Sequence, residues 1–105
     1  MGLGMSATLD PAQCTTMAEV RAGVDDVDRR LIALLQRRFG YMDAAARIKL
    51  DRAAVRDEGR KADVHAKIAA EAERLGLPIE RLRAVWEELM EQSIAYEFER
   101  FDERR

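Results

Sequence analysis

Apolar residues recur at Val20, Val24, Val27, Leu31 and Leu34 in steps of four and three, which places them on one face of an α-helix. The same face continues through Arg38, Met42 and Ala45 to Lys49, so the stripe runs into two cations. An unpaired charge on a packing face is costly, and two of them imply either a structural ion pair or an anionic ligand. Thr16 followed by Glu19 makes a capping box and sets the helix start near Met17. Nothing forces a stop before Lys49 or Leu50, although Gly23 and Gly40 each weaken the helix by about 1 kcal/mol relative to alanine. A second helix is predicted from Asp57 as N-cap, with Glu58 in its first turn and Val64, Ile68, Ala72 and Leu75 on its apolar face. Gly76-Leu77-Pro78 ends it, with Gly76 at the position after the cap and Pro78 opening a third helix. The line of that third helix is Leu82, Val85, Trp86, Leu89, Ser93, Glu97 and Phe101.

The expected fold is therefore all-α, a three-helix protomer with one very long first helix. Residues 1–16, Pro11 among them, read as a flexible N-terminal arm, and residues 17–105 as one helical domain. A helix from Met17 to Lys49 measures roughly 48 Å at about 1.5 Å per residue. A compact globule of this size is only roughly 34 Å across. The first helix would thus protrude with its apolar stripe uncovered, and an intertwined homodimer is the simplest way to cover it. A lone bundle with the first helix broken at Gly40 is the competing arrangement.

A formal charge of −2 over 105 residues argues against general nucleic-acid binding, so any cationic site is a local cluster on an acidic exterior. No apolar run is long enough to span a membrane, and residues 1–16 lack the apolar core of a signal peptide, so a cytoplasmic protein is expected. Cys14 is the single cysteine and His65 the single histidine, which rules out an internal disulfide and leaves no zinc constellation. With Cys14 in the arm, a cysteine–histidine catalytic pair is disfavoured.

Every helix carries polar groups where its packing face should be apolar. Arg38 and Lys49 are eleven residues apart, close to three turns, and so share a face. Arg60 lies one turn before Val64, and Ser93 and Glu97 continue the line of the third helix at i and i+4. Each has a commonplace explanation when taken alone. Arg38 can snorkel along the surface, Lys49 can complement the helix dipole, Arg60 can pair with Asp57, and Glu97 can be one more exposed acid beside Glu91. Together, three stripes that end in polar groups point to one shared pocket, rich in cations and holding a carboxyl group. Arg21 lies about 42 Å before Lys49 along a continuous helix, so it could enter such a pocket only in a partner chain.

In order and spacing, Arg21, Arg38, Lys49, Arg60, Ser93 and Glu97 resemble the active-site pattern of the all-helical chorismate mutases. The stretch Val20-Arg21, Val27-Asp28, Leu31, Ala33-Leu34-Leu35 and Arg37-Arg38 is similar to that family's first helix, and the resemblance runs from about Met17 to Phe101. It implies an intertwined homodimer whose two active sites are each built from both chains, with a small dicarboxylate, chorismate or isochorismate, as substrate. It implies that Arg38 and the other chain's Arg21 clamp carboxylates, assisted by Arg60 and Ser93. Lys49 and Glu97 would address the ether oxygen of the breaking bond, and Asp57 matches a position that helps hold the ring hydroxyl. The implied reaction is a [3,3] rearrangement to prephenate, in the shikimate pathway to aromatic amino acids, that needs no nucleophile, metal or cofactor. Catalysis would come from holding the compact conformer and stabilising charge on the ether oxygen.

The sequence departs from the mutase pattern at three points. Position 97 is glutamate where many members carry glutamine, and a glutamate must be protonated to donate a hydrogen bond, so turnover is expected to rise toward acid pH. Lys61 stands where the mutases commonly have a glutamate for the ring hydroxyl. The connection from Lys49 to Arg60 is one residue shorter, and that loop, with the Pro11 to Thr15 arm, also resembles the isochorismate-pyruvate lyases of salicylate formation. The mutase is the leading expectation because Glu97 has precedent there. The lyase and a non-catalytic helical dimerisation module are the alternatives.

Overall fold

The computed structural model describes residues 8–105, so the arm expected over residues 1–16 lies outside the described residues as far as residue 7. The described chain is helical: α1 spans Met17–Ile48, α2 Glu58–Leu75 and α3 Ile79–Glu103. Short 3-10 turns occur at Pro11–Gln13 and Arg52–Ala54, and no strand occurs among the described residues. α1 continues without interruption through Gly23 and Gly40, so the arrangement broken at Gly40 does not occur. No helix among the described residues is long and apolar enough to cross a membrane. The chain divides into two compact units, one ending at Arg38 and the other covering Phe39–Arg105.

In the first unit, α1 starts where its capping signals place it. The Thr15 and Thr16 backbone N–H groups donate to Glu19 Oε1 at 2.9 and 3.0 Å, and the Glu19 N–H donates to Thr16 Oγ1 at 3.2 Å. These donors hold the Glu19 carboxyl below its ordinary pKa, the Thr15 N–H most strongly. Residues 8–11, Cys14 and the α1 face at Val20, Gly23, Val24 and Val27 line a groove of about 450 Å³. The apolar stripe stays open to solvent, with Val27 53% and Leu34 62% exposed.

The second unit holds the core. Ala46, Val55 and Phe101 are buried together, and Ile94 and Phe98 pack against them. The last turns of α1 are tied to α3 by Asp43, which accepts from the Tyr96 hydroxyl at 3.0 Å and from Arg100 Nε at 2.7 Å. Phe39 meets the Tyr96 ring edge-to-face with centroids 4.9 Å apart. Asp57 caps α2, its Oδ1 accepting from the Arg60 N–H at 2.9 Å. At the other end Gly76 adopts φ 70°, its N–H donates to Glu73 O at 3.1 Å, and the Leu77 N–H donates to Ala72 O at 2.8 Å. This is a Schellman closure, and the left-handed backbone there favours glycine. Pro78 cannot extend a helix backwards, so α3 begins immediately after it and packs on α2.

Candidate active site

Most polar residues of α3 face outward, as an amphipathic helix requires, but its packing line also carries two that do not. Ser93 is 3% and Glu97 4% exposed, and they are the buried polar side chains among the described residues. Ser93 satisfies its hydroxyl by donating to Leu89 O at 2.6 Å, one turn back along α3. Glu97 is met across helices by Lys49, whose Nζ donates to Glu97 Oε2 at 2.7 Å. Lys49 follows the last residue of α1 and still donates its N–H to Ala45 O at 2.9 Å, so its side chain leaves from a helix end rather than a loose loop. A carboxylate this deeply buried is stable only with such a partner. The pair therefore links the end of α1 to a buried position on α3, with a donor group already in place.

The remaining residues singled out in the sequence have other surroundings. Asp57 is exposed and uses its carboxylate to cap α2. Arg60 does not pair with Asp57; its Nη1 donates to Asp63 Oδ2 at 2.6 Å on an exposed face. The Asp57 acceptor is taken by Arg60's own backbone N–H, which leaves Asp63, one turn on, as the available carboxylate. Lys61 is largely buried, and its Nζ donates to Glu87 Oε2 and Glu91 Oε2 at 2.8 Å each. Arg21 and Arg38 lie on α1 in the first unit, Arg21 exposed and Arg38 half-buried.

Around Lys61 the acids of α3 form a network. Arg56 donates to both oxygens of Glu91, at 2.7 and 3.1 Å, and to Glu58 at 2.9 Å. His65 Nε2 lies 3.0 Å from Glu87 Oε1. The Glu91 carboxyl is pulled down to a pKa of about 2, first by Arg56 and then by Lys61. Glu87 is lowered by Lys61 and then His65, and Lys61 is raised by the two acids, Glu87 more than Glu91. No group of three or more His, Cys, Asp or Glu side chains suited to a metal ion occurs among the described residues.

Residues 20–98 match the sequence profile of the family described as chorismate mutase type II. The chain belongs to this family. It is also similar to a protein named isochorismate pyruvate lyase from Pseudomonas aeruginosa, with 31% identity over 85 residues that cover 81% of this chain and 84% of the other. Every candidate residue from Arg21 to Glu97 falls inside the stretch matched to the chorismate mutase type II family.

Sequence reasoning missed the acidic network and took Glu91 for an ordinary exposed acid. A signal was available: α2 carries two basic side chains, Lys61 and His65, at i,i+4 spacing, and α3 carries two acids, Glu87 and Glu91, at the same spacing, so the two faces complement each other. Their meeting depends on the register of α2 against α3, which no single helix encodes. The contacts of Arg52 with Asp102 and of Arg105 with the end of α1 were missed as well.

Proposed function

We propose that this member of the family is a chorismate mutase, converting chorismate to prephenate by a cofactor-free pericyclic rearrangement. The observation that carries the reading is the Lys49–Glu97 pair, a partly exposed cation on a buried carboxyl group, held on a packing face with buried Ser93 one turn away. In the rearrangement the carbon–oxygen bond of the enolpyruvyl ether breaks as a carbon–carbon bond forms, and negative charge grows on the ether oxygen. Lys49 donates to that oxygen, and Glu97, when protonated, supplies a second donor. A preorganised donor in a water-poor site is worth about 10²- to 10³-fold in rate. Arg38, with Arg21 of a second copy, clamps the two carboxylates of the substrate and favours its compact conformer. Asp57, Arg60, Lys61 and Ser93 line the same pocket, and Arg60 exchanges Asp63 for the substrate when it binds.

The pocket is shared between two copies in a homodimer. The exposed stripe of α1 and the small core of the second unit support this, since a chain that leaves Val24, Val27, Leu31 and Leu34 open to solvent gains by covering them.

A second reading, isochorismate-pyruvate lyase, is favoured by the likeness to the Pseudomonas aeruginosa protein of that name and by the lysine at position 61. Separate incubations of the purified protein with chorismate and with isochorismate decide between them. Prephenate from chorismate supports the mutase, and salicylate with pyruvate from isochorismate supports the lyase. Consumption of neither overturns both and leaves a non-catalytic dimerisation module, in which Arg38→Ala would leave binding intact.

A further inference from the structure

Lys49 is held by its backbone as well as by its side chain. α1 ends at Ile48, and the carbonyls of a helix's last turn have no partner within the helix. Arg105 supplies the missing donors: its Nη2 donates to Lys49 O at 2.6 Å and its Nη1 to Ala46 O at 3.2 Å. The same guanidinium lies 3.7 Å above the centroid of Phe101, a core residue that is 6% exposed. The fork is thus braced on a fixed ring while it grips the end of α1.

A second guanidinium works from the opposite direction. Arg52, in the turn that follows Lys49, donates from Nε and Nη2 to the two oxygens of Asp102 at 2.9 and 3.2 Å. It also stacks 4.5 Å above the centroid of Phe98. Arg105 reaches from the end of α3 to residues 46 and 49, and Arg52 reaches from the turn back to α3. Lys49 is held directly by the first contact and lies three residues before the second. Asp102 and Arg105 both lie beyond the stretch matched to the family, residues 20–98.

We propose that Arg105 and the Arg52–Asp102 pair are positioning residues that fix the backbone of Lys49, and through it the donor that the reaction uses. This rests on the catalytic role given to Lys49 above. The Arg52 and Asp102 side chains are more than half exposed, and exposed ion pairs add little to global stability. Their effect is on placement. Helix ends fray readily, and a misplacement of about 1 Å at a reacting group can lower the rate by about 100-fold.

The test compares wild type with Arg105→Ala and with Asp102→Asn, each on whichever of chorismate and isochorismate the wild type consumes. For each variant kcat is expected to fall about tenfold with KM within about twofold, because placement rather than substrate affinity is lost. The thermal midpoint should stay within about 2 °C of wild type, as suits exposed groups. Ethylguanidinium added to Arg105→Ala should restore part of the lost kcat. Amide hydrogen exchange at Ile48 and Lys49 should rise about tenfold in Arg105→Ala while amides in α2 stay unchanged. A kcat within twofold of wild type, or a fall in kcat matched by a general loss of thermal stability, overturns the proposal. If the wild type consumes neither compound, the proposed function fails, and exchange at Lys49 decides the positioning claim alone: faster exchange upholds it and unchanged exchange ends it.

Discussion

Lys49 Nζ and Glu97 Oε2 are 2.7 Å apart, with the glutamate side chain 5% and the lysine side chain 29% exposed. The asymmetry matters, because the buried acid depends on a cation that is still partly open to solvent. Lys49→Met keeps the bulk of the side chain but leaves Glu97 without its charge partner. Turnover should fall by about 10²-fold or more, through loss of the donor at the ether oxygen. Stability should fall by about 1–3 kcal/mol, from the stranded carboxylate. Steady-state kinetics with urea unfolding checks both. Unchanged turnover would remove Lys49 from the mechanism.

Glu97→Gln separates the charge of residue 97 from its hydrogen bond. The glutamine amide oxygen can still accept from Lys49 Nζ, as Glu97 Oε2 does at 2.7 Å, and its amide nitrogen is a donor. Turnover of this variant should therefore stay within about tenfold of wild type, whereas Glu97→Ala, which keeps neither group, should lose about 10²-fold. Steady-state kinetics on the two variants provide the check. Equal losses would show that the reaction uses no hydrogen bond from residue 97.

Much of this was readable in the sequence because the signals were local. Thr16 with Glu19, Asp57, and Gly76 with Pro78 fixed helix ends to within a residue or two, since each acts through backbone groups of its own turn. Glu97 stood out because helical periodicity alone places it on the packing line of α3. That it meets Lys49, 48 positions earlier, depends on how the second unit packs. Arg60 shows the limit plainly. Asp57 and Asp63 are equally near in sequence, three residues to either side, but Asp57 was already engaged in capping α2, so Arg60 turned to Asp63. Arg105 follows the end of a helix, where no periodic pattern marks a role.

Glu91 makes stability sensitive to acid. Its carboxyl falls from the ordinary 4.5 to about 2 in the folded chain, chiefly through Arg56 and then Lys61. A lowered folded-state value means that the contribution is fully present above the ordinary pKa and is lost as pH falls toward about 2. Glu91→Gln should therefore melt below wild type at neutral pH, with the gap closing as pH drops between those two values. Thermal melts at a series of pH values measure this, and a gap independent of pH would show that the network carries no linked proton.

Gly76→Ala tests the Schellman closure. At φ 70° an alanine Cβ is strained by its own backbone, even though nothing else lies within 4 Å of the site. The substitution should lower stability by about 1–2 kcal/mol while leaving turnover unchanged, because Gly76 lies at the far end of α2 from Asp57. Denaturant unfolding with a parallel rate assay separates the two effects.

The proposed dimer has the most direct test. Val27 is 53% and Leu34 62% exposed on a stripe that a single chain leaves uncovered. Light scattering on the wild type should give about twice the 12.0 kDa chain mass. Changing both residues to aspartate places charge in the middle of that face, and like charges brought together across a two-fold interface repel. The double variant should run at the single-chain mass and keep its helical circular dichroism. It should also lose turnover, because each pocket would lack the arginine supplied by the other copy. Arg21→Ala mixed with Arg38→Ala sharpens the point. Each is inactive alone, yet exchange of chains should restore one intact pocket in every mixed dimer, about a quarter of the wild-type activity for statistical mixing. No recovery on mixing, from chains shown to exchange, would place Arg21 outside the pocket.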